Sequence, residues 1–215
     1  MKTILLQDAV ALIPDGATVM IGGFMGVGTP ERLMDELVRQ GKRNLTVIAN
    51  DNALPGVGIG KLISAGAVRK TIASHIGLNP ETQKKMLAGE LEVDLVPQGT
   101  LIERIRAGGF GLGGVLTATG VGTVVENGKQ RIEVDGKPYL LETALRADFA
   151  LVDAFLADYI GNLYYALTAR NFNPVMAMAA DCVIAEAEHI VPVGVISPDQ
   201  VVTPAAIVHY VVGSA

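Results

Sequence analysis

The sequence is poor in the residues on which disulfides and metal sites depend. Cys182 is the only cysteine among the 215 residues, which excludes an internal disulfide and the groups of cysteine thiolates that bind structural zinc. The three histidines, His75, His189 and His209, lie far apart in the sequence. We therefore predict that the chain holds no metal ion.

Long apolar runs and basic segments are also missing. No apolar stretch reaches the ~18 residues that a membrane-spanning helix requires, and residues 1–11 contain no signal-peptide core. These absences predict a soluble, cytoplasmic protein that has no membrane partner. The formal net charge is -5. Because nucleic-acid-binding surfaces are usually basic, we expect no nucleic-acid partner.

The chain is long and hydrophobic enough to form one large domain. Domains usually contain about 100–200 residues, and half of these 215 residues are hydrophobic. No linker-like change in composition and no internal repeat divides the sequence, so we expect a single domain over residues 1–215. Tryptophan is absent and aromatic residues are few, which suggests that an aliphatic face is buried on a partner protein.

Short apolar segments alternate with helical patterns along the chain. Strands are predicted at residues 17–21, 45–49, within 68–76, and at 93–96, 148–153 and 181–186, and helices at residues 30–40, 80–87, 98–107 and 173–180. This alternation predicts an α/β fold with a mostly parallel sheet flanked by helices. Residues 130–141 depart from it and predict an added β-hairpin, with Asp135 and Gly136 as its turn.

A glycine-rich loop, residues 22–28, lies between the first predicted strand and the first predicted helix. Thr29 is the expected N-cap of that helix and Pro30 its first residue. Glycines allow the backbone to approach a ligand closely, and the free N–H groups of a helix N-terminus attract a phosphate. In open α/β sheets, ligands bind at the carboxyl ends of the strands. The segment predicts a site for a phosphate-bearing cofactor, the alternative being a tight structural turn.

The residues around this glycine loop follow a longer motif. Residues 15–30 contain Asp-Gly, a short apolar strand, Gly-Gly-Phe, three residues, Gly, one residue and Pro. This segment resembles the signature of the class I (3-oxoacid) CoA-transferase family. Further stretches resemble the A (alpha) subunits of that family, particularly those of acetate and butyrate–acetoacetate CoA-transferases. They are residues 48–51, 73–77, 97–101, 106–109, 120–123, 170–174 and 202–204.

The resemblance implies the alpha subunit of a heteromeric enzyme. In this family, CoA moves between an acyl-CoA and a carboxylate such as acetate by a ping-pong mechanism, and the catalytic glutamate lies in the beta subunit. Coenzyme A is then a substrate and not a permanently bound cofactor, and the expected assembly has two alpha and two beta subunits. The residues implied to bind CoA are Gly22, Gly23, Phe24, Met25, Gly26, Val27 and Gly28.

Gln98 and Asn50 are the side chains expected to support catalysis. Gln98 follows a predicted strand and Pro97 at the start of a helix, where its amide N–H can donate to a developing oxyanion. The resemblance implies that Gln98 lies near the substrate carboxylate, and the alternative is a helix-capping glutamine. Asn50 ends the second predicted strand and is expected to line the same cleft.

Two glycine-rich segments imitate nucleotide-binding motifs. Residues 109–114 fit the dinucleotide fingerprint, but they follow a predicted helix instead of a strand. Residues 56–62 imitate a P-loop, but they are one residue short and place Leu62 where a Ser or Thr is needed. We predict that residues 56–62 form a structural loop, and the family resemblance implies that residues 109–114 form a loop near the active site.

Three further residues have a possible catalytic interpretation. The segment 126–128, Glu-Asn-Gly, resembles part of the catalytic motif of the family's beta subunits, but its flanking residues differ, and Asn-Gly is a common hairpin turn. We predict that Glu126 belongs to a turn. His75 and Cys182 lie in apolar, strand-like runs and are expected in the core.

Other functions compatible with the sequence remain open. One is a related transferase subunit that acts on 3-oxoadipate or on succinate and acetoacetate. Another is a non-catalytic scaffold subunit that only binds acyl-CoA. A third is an enzyme that uses a nucleotide or sugar phosphate on a related α/β fold, since a fold does not determine a function.

Overall fold

The computed structural model of the protein describes residues 2–213. These residues form eleven strands and six α-helices. The strands are β1 (Thr18–Ile21), β2 (Leu45–Asp51), β3 (Val68–His75), β4 (Glu92–Leu95), β5 (Gly114–Thr117), β6 (Arg131–Val134), β7 (Lys137–Thr143), β8 (Ala147–Asp158), β9 (Leu163–Tyr164), β10 (Ala180–Val191) and β11 (Tyr210–Gly213). The helices are α1 (Leu6–Ala11), α2 (Glu31–Arg39), α3 (Ile59–Ser64), α4 (Pro80–Leu87), α5 (Gln98–Gly109) and α6 (Asn173–Met178).

The main sheet has eight strands. Seven of them are parallel neighbours in the order β11-β10-β8-β1-β2-β3-β4, and β9 pairs with β8 in antiparallel fashion. A smaller antiparallel sheet has the order β5-β7-β6. Its β6–β7 hairpin turns at Asp135 and Gly136, which have φ angles of 51° and 72°, as a type I′ turn requires. The predicted α/β fold and the added hairpin are both confirmed.

Apolar residues cover both faces of the main sheet. In β1, Met20 packs into the core beneath α5 and α6, while Val19 and Ile21 pack into the core beneath α1, α2 and α3. Leu101 of α5 and Leu33 of α2 are fully buried in these two cores. Because both faces are covered, the central strands are continuous apolar runs instead of alternating ones.

Several element ends differ from the sequence predictions. Strands β8 and β10 each contain 12 residues and extend well past residues 153 and 186, because they pair with each other along their whole length. Helix α2 begins at Glu31, with Pro30 at the N-cap position. The predicted N-cap, Thr29, instead donates its hydroxyl hydrogen to the carbonyl of Gly22 at 3.1 Å. This bond joins the two ends of the glycine loop.

The predicted start of α4 is confirmed. The Asn79 side chain caps the helix by accepting hydrogen bonds from the N–H groups of Glu81 and Thr82, both at 3.1 Å, and Pro80 is the first helical residue. Within residues 2–213, no helix combines the length and the apolar character needed to cross a membrane.

Candidate active site

A cleft opens where strands β1, β2, β3 and β4 end. Because these strands are parallel, their carboxyl ends meet at one edge of the sheet, which is the usual ligand-binding edge of an open α/β sheet. The cleft has a volume of about 310 Å³. We call it the strand-end cleft, and its lining residues are Phe24, Met25, Asn50, Asp51, Ser74, His75, Leu78 and Gln98. The fold thus brings the predicted residues Gln98 and Asn50 together with the glycine loop.

The Gln98 side chain is held by Asn50. Its amide nitrogen donates to Oδ1 of Asn50 at 2.7 Å, and the Ser74 hydroxyl donates to the same oxygen at 3.0 Å and to the Asn50 carbonyl at 2.7 Å. Asn50 is 1% exposed, whereas Gln98 is exposed. Among the described residues, no side chain caps the start of helix α5, so Gln98 does not act as a helix cap. Asn50 positions Gln98, which faces the cleft.

Asp51 links this amide network to the glycine loop. Its Oδ2 accepts hydrogen bonds from the Asn50 side-chain nitrogen at 2.8 Å and from the Met25 N–H at 3.0 Å. Its Oδ1 accepts from the Ala53 N–H at 2.7 Å. Asp51 is 5% exposed; its bonds to Asn50 and Ala53 are buried, whereas its bond to Met25 is only partly buried. Asp51 and Ser74 were not predicted as site residues, although each is a polar residue at the carboxyl end of a buried strand.

The outer part of the glycine loop is a tight two-residue turn. Phe24 and Val27 exchange both backbone hydrogen bonds at 2.9 Å, and the two residues between them have positive φ angles, 51° at Met25 and 88° at Gly26. This is the geometry of a type I′ turn. The side chains of Phe24, Met25 and Val27 are exposed at its tip, where they can contact a ligand.

The inner glycines of the loop are packed against the chain itself. A Cβ atom on Gly22 would lie 1.7 Å from Oδ1 of Asn173, and one on Gly23 would lie 2.1 Å from Oγ1 of Thr29. A Cβ on Gly28 would lie 2.9 Å from the backbone of Ala169. Gly22 and Gly23 are buried. Their close approaches are therefore made to protein groups. Gly28 is only half-buried, so the accessible part of the loop is residues 24–28.

The N-terminus of helix α2 already binds a carboxylate of the protein. Glu186 accepts hydrogen bonds from the N–H groups of Arg32 at 3.2 Å and Leu33 at 2.9 Å. Burial nevertheless raises the pKa of the Glu186 carboxyl. On the neighbouring strand, burial raises the pKa of Asp153 to about 7, with a further contribution from the charges of Glu186 and Glu188. The helix N-terminus that the sequence suggested for a phosphate is thus occupied by Glu186.

Two of the remaining predictions concern single side chains. The expectation that His75 lies in the core is wrong, because β3 ends at His75 and the exposed imidazole lines the strand-end cleft. Cys182 is half-buried on β10 and packs against the core beneath α1, α2 and α3, in line with the expectation, and burial raises the pKa of its thiol.

The segments that imitate other motifs are structural. Glu126 precedes a turn in which the Lys129 N–H donates to the Glu126 carbonyl at 3.0 Å, and its carboxylate accepts from the Gly122 N–H at 2.6 Å. Residues 109–114 connect helix α5 to β5, so no strand precedes them. In the P-loop-like segment, a Cβ on Gly60 would lie 2.0 Å from the Leu54 carbonyl oxygen, so Gly60 is required by packing.

Comparisons with known proteins agree on one family. The family model described as "Coenzyme A transferase" matches residues 3–214. The chain is 57% identical over 213 residues to the acetate CoA-transferase subunit alpha of Escherichia coli strain K12, an alignment covering 99% of this chain and 97% of that protein. It is 52% identical over 211 residues to the acetoacetyl-CoA:acetate/butyrate CoA transferase alpha subunit of Clostridium acetobutylicum, covering 98% of this chain and 97% of the relative.

A solved structure has the same fold. The acyl-CoA transferase YdiF of Escherichia coli O157:H7, in a thioester complex with CoA, superposes with a TM-score of 0.88 at 24% identity. The match covers 99% of this chain and 47% of that chain. This chain therefore corresponds to about half of the YdiF polypeptide.

Proposed function

The chain belongs to the coenzyme A transferase family, and on this premise we propose that it is the CoA-binding alpha subunit of a heteromeric short-chain CoA-transferase. The enzyme moves CoA between an acyl-CoA, such as acetoacetyl-CoA or butyryl-CoA, and a carboxylate such as acetate. The observation that carries the proposal is the exposed Gln98 amide, held by Asn50 in the strand-end cleft.

Gln98 is suited to stabilising negative charge on an acyl oxygen. One N–H of its amide is bonded to Asn50, and the other is available to the thioester oxygen as that oxygen gains charge. An oriented donor of this kind is worth about 3 kcal/mol in a transition state. Because Asn50 is itself fixed by Ser74 and Asp51, the Gln98 donor is in place before the substrate binds.

The nucleophile comes from another subunit. Asp51 is the only carboxylate among the residues that line the strand-end cleft, and it is buried with both oxygens bonded to N–H groups. It cannot attack a thioester. A glutamate of the beta subunit attacks the acyl-CoA carbonyl and releases the CoA thiolate, leaving an acyl-glutamyl anhydride. The thiolate then attacks the glutamyl carbonyl, releasing the first carboxylate, and the second carboxylate reverses these steps.

CoA is a substrate that meets the outer part of the glycine loop. The N–H groups of Phe24, Met25 and Val27 are already bonded to protein acceptors. Main-chain contacts to CoA are therefore made by Gly26 and Gly28, and the exposed side chains of the turn supply apolar contact. We place this chain in an assembly of two alpha and two beta subunits, with the glutamate of one subunit facing Gln98 of the other.

The test is CoA transfer from acetoacetyl-CoA to acetate, measured for this chain alone, for a candidate beta subunit alone, and for the two together. We expect activity only in the mixture. Activity of this chain alone would refute the split site, and CoA binding without turnover beside any beta subunit would favour a scaffold. Succinate as a second acceptor distinguishes the short-chain reaction from a 3-oxoacid transferase that uses succinate.

A further inference from the structure

His75 stands at the carboxyl end of β3, next to the amide network. It is the register partner of Asp51 on β2, and the residue before it, Ser74, bonds to Asn50. Its imidazole lines the strand-end cleft together with Gln98 and Leu78. The ring is therefore in the same cavity as the amide proposed to bind the thioester oxygen.

The position of the ring depends on the glycine two residues later. A Cβ atom on Gly77 would lie 2.7 Å from Cε1 of the His75 ring and 3.1 Å from its Nε2. Any larger residue at position 77 would displace the imidazole. Glycine at this position therefore lets the ring lie close against the backbone at the mouth of the cleft.

The three histidines differ in what their rings contact. His209 accepts a hydrogen bond on Nδ1 from the Val183 N–H at 3.0 Å. His189 packs edge-on against Phe155, with ring centroids 5.5 Å apart. Among residues 2–213, no group forms a hydrogen bond with the His75 ring nitrogens. An imidazole always carries at least one N–H donor, so His75 can offer this donor to a ligand.

The rest of the strand-end cleft limits which ligand group can use this donor. Phe24, Met25 and Leu78 are apolar, Asp51 is fully bonded, and Asn50 and Ser74 are occupied with each other. An acyl chain whose thioester oxygen meets Gln98 thus meets apolar surface and one free polar group, His75. A 3-oxoacyl chain carries a second carbonyl oxygen two carbons beyond the thioester carbon, whereas a saturated chain of the same length carries none.

We propose that His75 donates a hydrogen bond to the 3-oxo oxygen of the acyl group and so makes the enzyme prefer 3-oxoacyl-CoA over saturated acyl-CoA. The proposal rests on the function given above. Its physical basis is that a site built to bond a polar substrate group disfavours an analogue that lacks the group, because the polar residue then loses its water without gaining a partner.

The test compares two donors that differ only at the third carbon. Reconstituted enzyme carrying His75→Phe or His75→Gln is assayed with acetoacetyl-CoA and with butyryl-CoA, each with acetate as acceptor, and kcat/KM for the donor is measured. Phenylalanine retains a ring over Gly77 without a donor, and glutamine retains an N–H donor. We expect His75→Phe to lower kcat/KM for acetoacetyl-CoA about tenfold and to leave kcat/KM for butyryl-CoA nearly unchanged. His75→Gln should retain part of the preference for acetoacetyl-CoA.

His189→Phe is the matched control, because it makes the same change on an exposed histidine outside the strand-end cleft. It should leave kcat/KM unchanged for both acetoacetyl-CoA and butyryl-CoA. If His75→Phe lowers kcat/KM by the same factor for both donors, or for neither donor, the role of His75 in specificity is refuted while the transferase function stands. If the wild-type pair of subunits transfers CoA from neither donor, the proposed function fails, and the role of His75 fails with it.

Discussion

Replacing Asp51 with alanine removes three hydrogen bonds that hold the glycine loop and the amide network together. The Ala53 N–H and the Asn50 side-chain nitrogen are buried, so each loses its partner where water reaches it poorly, at about 1–3 kcal/mol each. The Met25 N–H lies at the loop surface, where water can replace the lost acceptor. We expect the free energy of unfolding to fall by about 3 kcal/mol.

The same substitution should impair catalysis more than binding. Without Asp51, the Asn50 amide can rotate, and Gln98 loses the group that orients it. Small misplacements of catalytic groups lower rates by about tenfold to a hundredfold, so kcat should fall by such a factor, while KM for acyl-CoA changes less. Denaturation by urea and steady-state kinetics of the reconstituted enzyme measure the two effects on the same preparation.

Asparagine at position 51 provides an intermediate step. Its amide nitrogen must face either Ala53 or the pair formed by Met25 and Asn50, so at least one bond is lost. If the amide nitrogen faces Ala53, the amide oxygen still accepts the hydrogen bonds from Met25 and Asn50. Asp51→Asn should therefore lose about half as much stability as Asp51→Ala, or about 1.5 kcal/mol.

An exposed aspartate is the control for the Asp51 series. Asp199 lies in a surface turn, and Asp199→Ala should change neither stability nor kcat. Wild-type stability and kcat in Asp51→Ala would refute the reasoning altogether. A destabilised Asp51→Ala variant with wild-type kcat would show that the network supports the fold without positioning Gln98.

Two further predictions concern carboxylates. Glu126→Gln should leave CoA transfer by the reconstituted enzyme unchanged, because Glu126 belongs to a turn, and a large loss of kcat would instead place the nucleophile in this chain. For Asp153, burial raises the pKa to about 7. The folded chain therefore holds a proton that the unfolded chain releases near pH 4. As a result, the free energy of unfolding falls as pH rises from about 4 to about 7. Asp153→Asn should remove this loss of stability. It should stabilise the chain by about 1–2 kcal/mol at pH 8, a figure lowered to allow for the partial exposure of the carboxyl, but little at pH 4. Equal changes in the free energy of unfolding by urea at both pH values would contradict the raised pKa of Asp153.

The features that the sequence predicted well are governed by local rules. The Asn79-Pro80 start of α4 and the Asp135-Gly136 turn each follow from the backbone preferences of neighbouring residues. The strand-end positions of Asn50 and Gln98 followed from the order of strands and helices, since parallel strands bring their carboxyl ends together.

The features that were missed depend on residues far apart in the chain. Asn173 accepts a hydrogen bond from the Asp153 N–H at 3.1 Å and donates to the carbonyl of Gly28 at 2.9 Å, 145 residues away. Its side chain is the reason for a glycine at position 22. Likewise Glu186, on β10, binds the start of α2. No pattern of spacing near the glycine loop indicates either partner.

The exposure of His75 was missed for a different reason. The apolar run that contains it predicts a buried strand, and β3 is indeed a strand, but it ends at His75 itself. Strand ends are the least certain part of a prediction made from sequence. A shift of one residue at that point decides whether a side chain lies in the core or in the cleft.

The occupation of the helix α2 N-terminus by Glu186 has a consequence for the CoA binding that we propose at the glycine loop. The glycine loop is held at both ends by Thr29 and Asn173. The partial positive charge at the N-terminus of α2 is neutralised by the Glu186 carboxylate. The loop therefore needs no ligand to take its shape, and under the proposed function little conformational entropy is lost when CoA binds to it. In such a preorganised site, weaker affinity in loop variants should appear mainly as faster dissociation of CoA, because the association rate depends on an arrangement that the free protein already has.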